Sequence, residues 1–194
     1  MFLTQFQKVG RDLFTCGLIS GTSGNLSIRL GDRLVITRRA SSKANLEEQD
    51  LIETGICKND RNTPMASSEL AVHRAIYQNT AATAIVHAHP PHAVALSLTE
   101  DEIIPSDDDG RSLISYVPIV GHTPTTIVPG ILSDVIAKAL TTTRIVMVKG
   151  HGSFAIGQIL EEAYDITATF EESCKILCLM KSLQVKQVSE TYYS

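Results

Sequence analysis

Ala84-Ile85-Val86-His87-Ala88-His89-Pro90-Pro91 is the stretch that decides how this chain folds. From Ala84 to His89 it is apolar with β-branched residues, and it stops at paired prolines, the pattern of a short strand. Side chains alternate across a strand, so His87 and His89 share a face, with Cα atoms roughly 6.5–7 Å apart. Ile85 lies on that same face and Val86 on the other, so the strand is expected to be covered on both sides. Such a strand needs helices above and below it, and helical and extended patterns alternate along the rest of the chain. The expected architecture is a layered α/β domain with helices on each side of a sheet. Two neutral imidazoles at the end of a buried strand require a partner, and at this spacing both can close on one metal ion. Taken alone, the pair would equally suit a strand that shows two polar residues to solvent.

Working outward, Leu3, Phe6, Val9, Leu13 and Phe14 recur at helical spacing and predict an amphipathic helix over Leu3 to Ile19. Ser20-Gly21-Thr22-Ser23-Gly24-Asn25 is a loop by composition. Asn25–Leu30 and Arg33–Thr37 read as a hairpin joined at Gly31-Asp32, with the turn type left open because the favoured Asp-Gly order is reversed. A short helix is expected around Leu46–Leu51. Ser67-Ser68-Glu69 then opens a helix, with serine as its cap and glutamate in its first turn. Residues 92–99 read as helix, 100–112 as acidic turns, 113–121 and 144–157 as strands, and Ile131–Leu140 as helix. A long helix from Leu160 to Leu183 closes the pattern. No repeat or linker interrupts it, so one domain over residues 1–194 is expected.

The 194 residues are 43% hydrophobic and 20% charged, and 17 Lys+Arg against 21 Asp+Glu leave a net charge of −4. A mildly acidic chain lacks the basic excess that displaces phosphate counterions, which excludes a broad electrostatic nucleic-acid binder. An ordinary apolar fraction with small net charge also excludes disorder. No run approaches the roughly 20 apolar residues that span a bilayer, and Lys8, Arg11 and Asp12 interrupt any signal-peptide core. Cys16, Cys57, Cys174 and Cys178 therefore read as reduced thiols in a cytoplasmic protein.

A third histidine, His151, stands in Lys149-Gly150-His151-Gly152 just past the strand Ile145–Val148. Glycine on both sides allows close backbone approach, although a histidine there is by itself most simply a turn residue. Three histidines with an open fourth position make up a catalytic zinc site, whereas structural sites are closed and rich in cysteine. Glu69 reads either as a dipole-favoured residue at a helix start or as a base beside the metal. Three stretches are candidate anion cradles: the helix start at Ser67-Ser68, the glycine loop Thr22-Ser23-Gly24-Asn25, and the basic window Thr37-Arg38-Arg39-Ala40-Ser41-Ser42-Lys43. His73, four residues after Glu69, reads as half of a surface pair, and His92 as a helix-start residue. His122 lies in a loop and carries no signal.

The blocks Gly21-Thr22-Ser23-Gly24-Asn25, Ser67-Ser68-Glu69, His87-Ala88-His89-Pro90 and Gly150-His151-Gly152, in this order, resemble the class II aldolase/adducin superfamily, nearest to its L-fuculose-1-phosphate aldolase branch. The resemblance runs from about residue 5 to 183. It implies a three-layer αβα fold with a mixed, mostly antiparallel central sheet, and a homotetramer with active sites at subunit interfaces. It implies Zn²⁺, or another divalent ion, on His87, His89 and His151, with Glu69 as acid/base and as a further metal contact. Gly24, Asn25, Ser67 and Ser68 would hold the phosphate of a sugar phosphate, helped by Arg39 and Ala40. The implied reaction is reversible cleavage of a phosphorylated ketose to dihydroxyacetone phosphate and an aldehyde, through an enediolate that the metal charge stabilises.

Three departures bear on that expectation. The family's phosphate loop commonly reads Thr-Pro-x-Gly, where this chain has Thr37-Arg38-Arg39-Ala40 and so lacks the glycine. In the fuculose branch the neighbouring subunit lends a tyrosine from the region where this chain has Asp107-Asp108-Asp109; Asp108 is the nearest counterpart of an epimerase acid/base, against the reading of a solvated acidic turn. Tyr192 and Tyr193 stand where a mobile C-terminal tyrosine would be sought. The same scaffold hosts a pentulose-phosphate 4-epimerase, a sugar-phosphate dehydratase and a non-catalytic adducin-like assembly module, which remain the alternatives.

Overall fold

A computed structural model describes residues 2–121 and 130–190, with side chains to 183. Its centre is an eight-stranded sheet in the order β3-β2-β1-β4-β8-β7-β6-β5. The strands are β1 (Asn25–Leu30), β2 (Arg33–Thr37), β3 (Leu51–Gly55), β4 (Ala84–Ala88), β5 (Glu102–Ile103), β6 (Val117–Val120), β7 (Ile145–Val148) and β8 (Gly152–Gly157). β6 and β7 run parallel and every other neighbouring pair runs antiparallel, so the sheet is mixed and mostly antiparallel as expected. Among the described residues six α-helices cover it: α1 (Phe2–Thr15), α2 (Leu70–Asn79), α3 (Pro91–Ser97), α4 (Asp108–Leu113), α5 (Ile131–Ala139) and α6 (Leu160–Glu190).

The two faces of β4 show why this is a three-layer fold. Val86 and Ala88 join a core with Phe6 and Leu13 of α1, Leu96 of α3 and Phe170 of α6. Ile85 joins a second core on the opposite face with Ile76 and Tyr77 of α2 and Ile136 of α5. Every residue of β4 is buried. The strand ends one residue sooner than its sequence pattern suggests, because the amide of His89 leaves the sheet to donate to the carbonyl of Leu18 (2.8 Å).

Several expectations need correcting. α1 stops at Thr15 instead of Ile19 because Gly17, at φ 69°, turns the chain; Gly17 N–H bonds back to Phe14 and Leu18 N–H to Leu13, a Schellman ending. The hairpin turn has a positive φ at Gly31 and not at Asp32, which matches type II′ with glycine first. The helix expected around Leu46–Leu51 is two short 3₁₀ turns followed by β3. Leu51-Ile52-Glu53-Thr54 alternates in burial, and its pairing with β2 outweighs a local capping box at Glu47 and Asp50. The acidic stretch 100–112 holds β5 and α4, and Asp107 caps α4 by accepting from Gly110 N–H (2.8 Å). Among the described residues, no helix is long and apolar enough to cross a membrane.

Candidate functional site

The ends of β1, β4 and β8 meet the start of α2 around a cavity of about 190 Å³. His87 is buried on the α2 side of the sheet, stacked on Phe154 with ring centroids 4.1 Å apart and planes 19° apart. His87 Nδ1 lies 2.9 Å from the carbonyl oxygen of Ser153. A carbonyl only accepts, so Nδ1 carries the proton and Nε2 presents its lone pair. That Nε2 is 3.0 Å from His89 Nε2 and 3.0 Å from Glu69 Oε2, while His151 Nε2 is 3.7 Å from Glu69 Oε1. The three imidazoles offer ligand atoms within 4.8 Å of one another.

This donor set fits a divalent ion. A lone pair on His87 Nε2 facing a carboxylate oxygen at 3.0 Å needs a cation between them. A proton is the poorer choice: burial, then the neighbouring His89 and His151, drive the His87 pKa well below its ordinary value. Burial and His151 lower that of His89 as well. Three nitrogens and one carboxylate oxygen suit zinc or a similar transition ion. Glycine makes the clustering possible. A Cβ on Gly152 would strike the Ala88 carbonyl oxygen and lie 2.7 Å from His89 Cδ2 and 3.0 Å from His87 Cε1. One on Gly24, at φ 68°, would lie 2.7 Å from the His87 carbonyl oxygen.

Of the two readings of Glu69, the one that makes it a first-turn residue behind a serine cap does not hold. It occupies the N-cap position of α2, neither serine side chain caps the helix, and Ser67 Oγ accepts only from the Glu69 amide (3.3 Å). The Glu69 carboxylate turns instead toward the imidazoles, and Asn25 Nδ2 donates to its Oε2 (2.8 Å). His73 is a larger correction. It is fully buried rather than part of a surface pair, with Nε2 against Asn25 Oδ1 and Nδ1 2.7 Å from Ser27 Oγ. Burial lowers its pKa to about 3. The signal for this placement is periodic: Glu69, His73 and Tyr77 recur every four residues on one face of α2, opposite Asn25 and Ser27 on one face of β1.

Gly24, Asn25, Arg39, Ala40, Ser67 and Ser68, expected to hold an anion, all line the same cavity as Glu69 and the three imidazoles. Arg38 lines it too. Lys43, the last residue of the basic window read as an anion cradle, is 2% exposed and donates to the carbonyls of Thr22 (2.8 Å) and Ser41 (2.7 Å). Burial lowers its pKa to about 8. The cavity thus has a buried ammonium on one wall, arginines on its rim and a cluster of metal-ligating groups at its floor.

The lost loop glycine has a structural answer. Ala40 holds φ 59°, so the loop keeps the left-handed turn that glycine would favour. That conformation costs a side-chain-bearing residue about 1–2 kcal/mol, partly offset by the lower unfolded-state entropy of alanine. Ala40→Gly should therefore gain about 0.5–1 kcal/mol, a rise of roughly 2 °C in Tm by calorimetry. A lower Tm would mean that the alanine methyl makes a contact worth more than the strain.

Asp108 lies exposed in the first turn of α4 and is not among the residues lining the cavity. His92 does stand at a helix start, where its Nδ1 and backbone amide face Glu171 (2.7 and 3.0 Å). His122, Tyr192 and Tyr193 lie outside the described residues.

Comparison with known proteins bears on this arrangement. The family model described as class II aldolase and adducin N-terminal domain matches residues 4–178. The chain is 28% identical over 189 residues to an L-fuculose phosphate aldolase of Methanococcus maripaludis, covering 95% of this chain and 100% of that one. It is 30% identical over 189 residues to a probable bifunctional methylthioribose-1-phosphate isomerase/methylthioribulose-1-phosphate dehydratase of Nocardia farcinica, covering 86% of this chain but only 33% of that longer one. Among solved structures, l-fuculose-1-phosphate aldolase from Thermus thermophilus superposes with a TM-score of 0.88 at 37% identity, covering 94% of this chain and 95% of that one.

Proposed function

Because the chain belongs to the class II aldolase and adducin family, we propose that it is a zinc-dependent lyase that reversibly cleaves a phosphorylated ketose to dihydroxyacetone phosphate and an aldehyde. The observation that carries this reading is the Glu69 carboxylate set 3.0 Å from the lone-pair nitrogen of His87, on the floor of a cavity with a cationic wall. His87, His89 and His151 would hold the ion, which supplies Lewis acidity to the oxygens of a hydroxyketone. In the synthetic direction Glu69 takes a proton from the hydroxyl-bearing carbon of dihydroxyacetone phosphate, which then bonds to the aldehyde carbon. In cleavage that bond breaks as the neighbouring hydroxyl loses its proton and becomes the aldehyde carbonyl, and Glu69 returns a proton to the freed carbon. Its position fits that task, with one oxygen steadied by Asn25 and the other free toward His151. The backbone at Gly24 and the side chains of Asn25, Ser67 and Ser68 bind the phosphate, with Arg39 and the left-handed turn at Ala40 closing over it. Lys43 lends a buried positive charge to the same wall.

On this reading residues 1–194 act as one catalytic domain, in a cytoplasmic homotetramer with sites at subunit interfaces. Exposed Leu179, Met180 and Leu183 along α6 support a subunit contact there. Dehydration of a sugar phosphate is the second reading, favoured by the likeness to the Nocardia protein, whose name includes a methylthioribulose-1-phosphate dehydratase; it would use Glu69 to remove the proton on the carbon beside the carbonyl.

The test pairs metal analysis of the purified protein with NMR detection of deuterium exchange at C3 of dihydroxyacetone phosphate in heavy water. Bound zinc with exchange is the expected result. Bound metal without exchange would move the assignment to the dehydratase or epimerase reading. No metal uptake even after zinc addition would leave only a non-catalytic assembly module.

A further inference from the structure

A line of buried hydrogen bonds runs from the interior of α2 to the carboxylate of Glu69. Tyr77 Oη lies 2.7 Å from Ser27 Oγ, Ser27 Oγ 2.7 Å from His73 Nδ1, His73 Nε2 against Asn25 Oδ1, and Asn25 Nδ2 2.8 Å from Glu69 Oε2. Asn25, Ser27, His73 and Tyr77 are each at most 5% exposed.

The direction of every bond in this line is fixed from one end. An ionised carboxylate only accepts, so Asn25 must turn its NH₂ to Glu69 and its carbonyl oxygen to His73. His73 Nε2 must then be the N–H, which leaves Nδ1 as acceptor for the Ser27 hydroxyl. Ser27 in turn accepts from the Tyr77 hydroxyl. No member can reverse without setting two acceptors or two donors face to face. The four buried polar side chains, Asn25, Ser27, His73 and Tyr77, could be replaced by apolar ones at lower desolvation cost. What such a replacement would lose is the orientation of the last member.

We propose that Tyr77, Ser27 and His73 are positioning residues: they lock the Asn25 amide in one orientation, and through it hold the Glu69 carboxylate against the metal-ligating imidazoles. Asn25 then has a second task beside the phosphate contact expected of it. The proposal rests on the reading of Glu69 given above. It extends that reading to residues that touch neither substrate nor metal, acting as outer groups act on metal ligands elsewhere.

The test compares wild type, His73→Leu, His73→Gln and Glu69→Gln by Co²⁺ titration, the visible spectrum of the Co²⁺ form and thermal unfolding. His73→Leu should still unfold cooperatively but bind Co²⁺ about tenfold more weakly, with its spectrum displaced toward that of Glu69→Gln. His73→Gln, which keeps an N–H for Asn25 and an oxygen for Ser27, should recover most of the loss. A folded His73→Leu with wild-type affinity and spectrum would overturn the proposal. A second measurement decides the matter if His73→Leu does not fold. Long-range ¹⁵N NMR of the wild type should show His73 only as the Nε2–H tautomer, and Ser27→Ala should admit the Nδ1–H form. An Nδ1–H tautomer in the wild type would sink the relay. Failure of the wild type to bind Co²⁺ would instead count against the functional reading, and the tautomer would still judge the relay.

Discussion

Glu69→Gln should keep its metal and lose proton exchange at C3 of dihydroxyacetone phosphate by roughly 10³-fold, within the range that a positioned acid/base contributes. Glutamine preserves the shape of the side chain and can still accept from Asn25 Nδ2. The three imidazoles that define the site are untouched. What disappears is the only carboxylate among the described residues lining the cavity, and with it the group that can take a proton from a bound hydroxyketone. His89→Ala should behave differently and lose metal and exchange together, because it removes a ligand and leaves the base. Metal content and exchange rate, measured on the two variants side by side, separate the roles. Full exchange activity in Glu69→Gln would show that another group is the base.

The cluster of three histidines is legible in the amino-acid sequence because its signals are local. A period of two puts His87 and His89 on one face, and paired prolines say where the strand ends. His151 is marked by the glycines around it, and Gly152 matters through its close approach to the other two histidines. The hairpin is readable for the same reason, since two short runs rich in β-branched and aliphatic residues and a glycine turn lie within thirteen residues of one another. β3 is not, because its alternation is short and follows a capping pattern that suits a helix start; only pairing with β2 settles it.

His73 and Lys43 mark the other limit. Each is a polar residue whose default place is the surface, and each is buried by partners distant in sequence: Asn25 and Ser27 for His73, Thr22 for Lys43. A sequence supplies donors and acceptors but does not say which of them will face each other across a sheet. The four-residue spacing of Glu69, His73 and Tyr77 is visible, yet it fits a solvated helix face as well as a buried one. Burial decides between them, and burial comes from the way α2 lies on β1. The loop at Ala40 escapes a sequence reading for a related reason. Loss of glycine suggests loss of the turn, whereas the surrounding bonds, among them Arg38 N–H to Asp50 and Arg39 N–H to Met65, hold the backbone left-handed regardless of residue type.

Gly152→Ala should cost about 1–3 kcal/mol of stability through overpacking and lower divalent-ion affinity by roughly 100-fold. The added methyl has nowhere to go. It would overlap the carbonyl oxygen of Ala88, which belongs to the strand paired with β8, and press on the rings of both His89 and His87. Relief requires β4 and β8 to separate at their ends, and that is where the imidazoles converge. Gly21→Ala is the matched control: Gly21 also has positive φ (52°), but nothing lies within 4 Å of the space its methyl would fill. That variant should lose about 1 kcal/mol from backbone strain and bind metal like the wild type. Isothermal titration with Zn²⁺ against a competing chelator, together with calorimetric Tm, distinguishes strain from clash. If Gly152→Ala bound zinc as tightly as Gly21→Ala, the ends of the two strands would not set the ligand spacing. The imidazoles would then be gathered by the ion itself instead of by the fold.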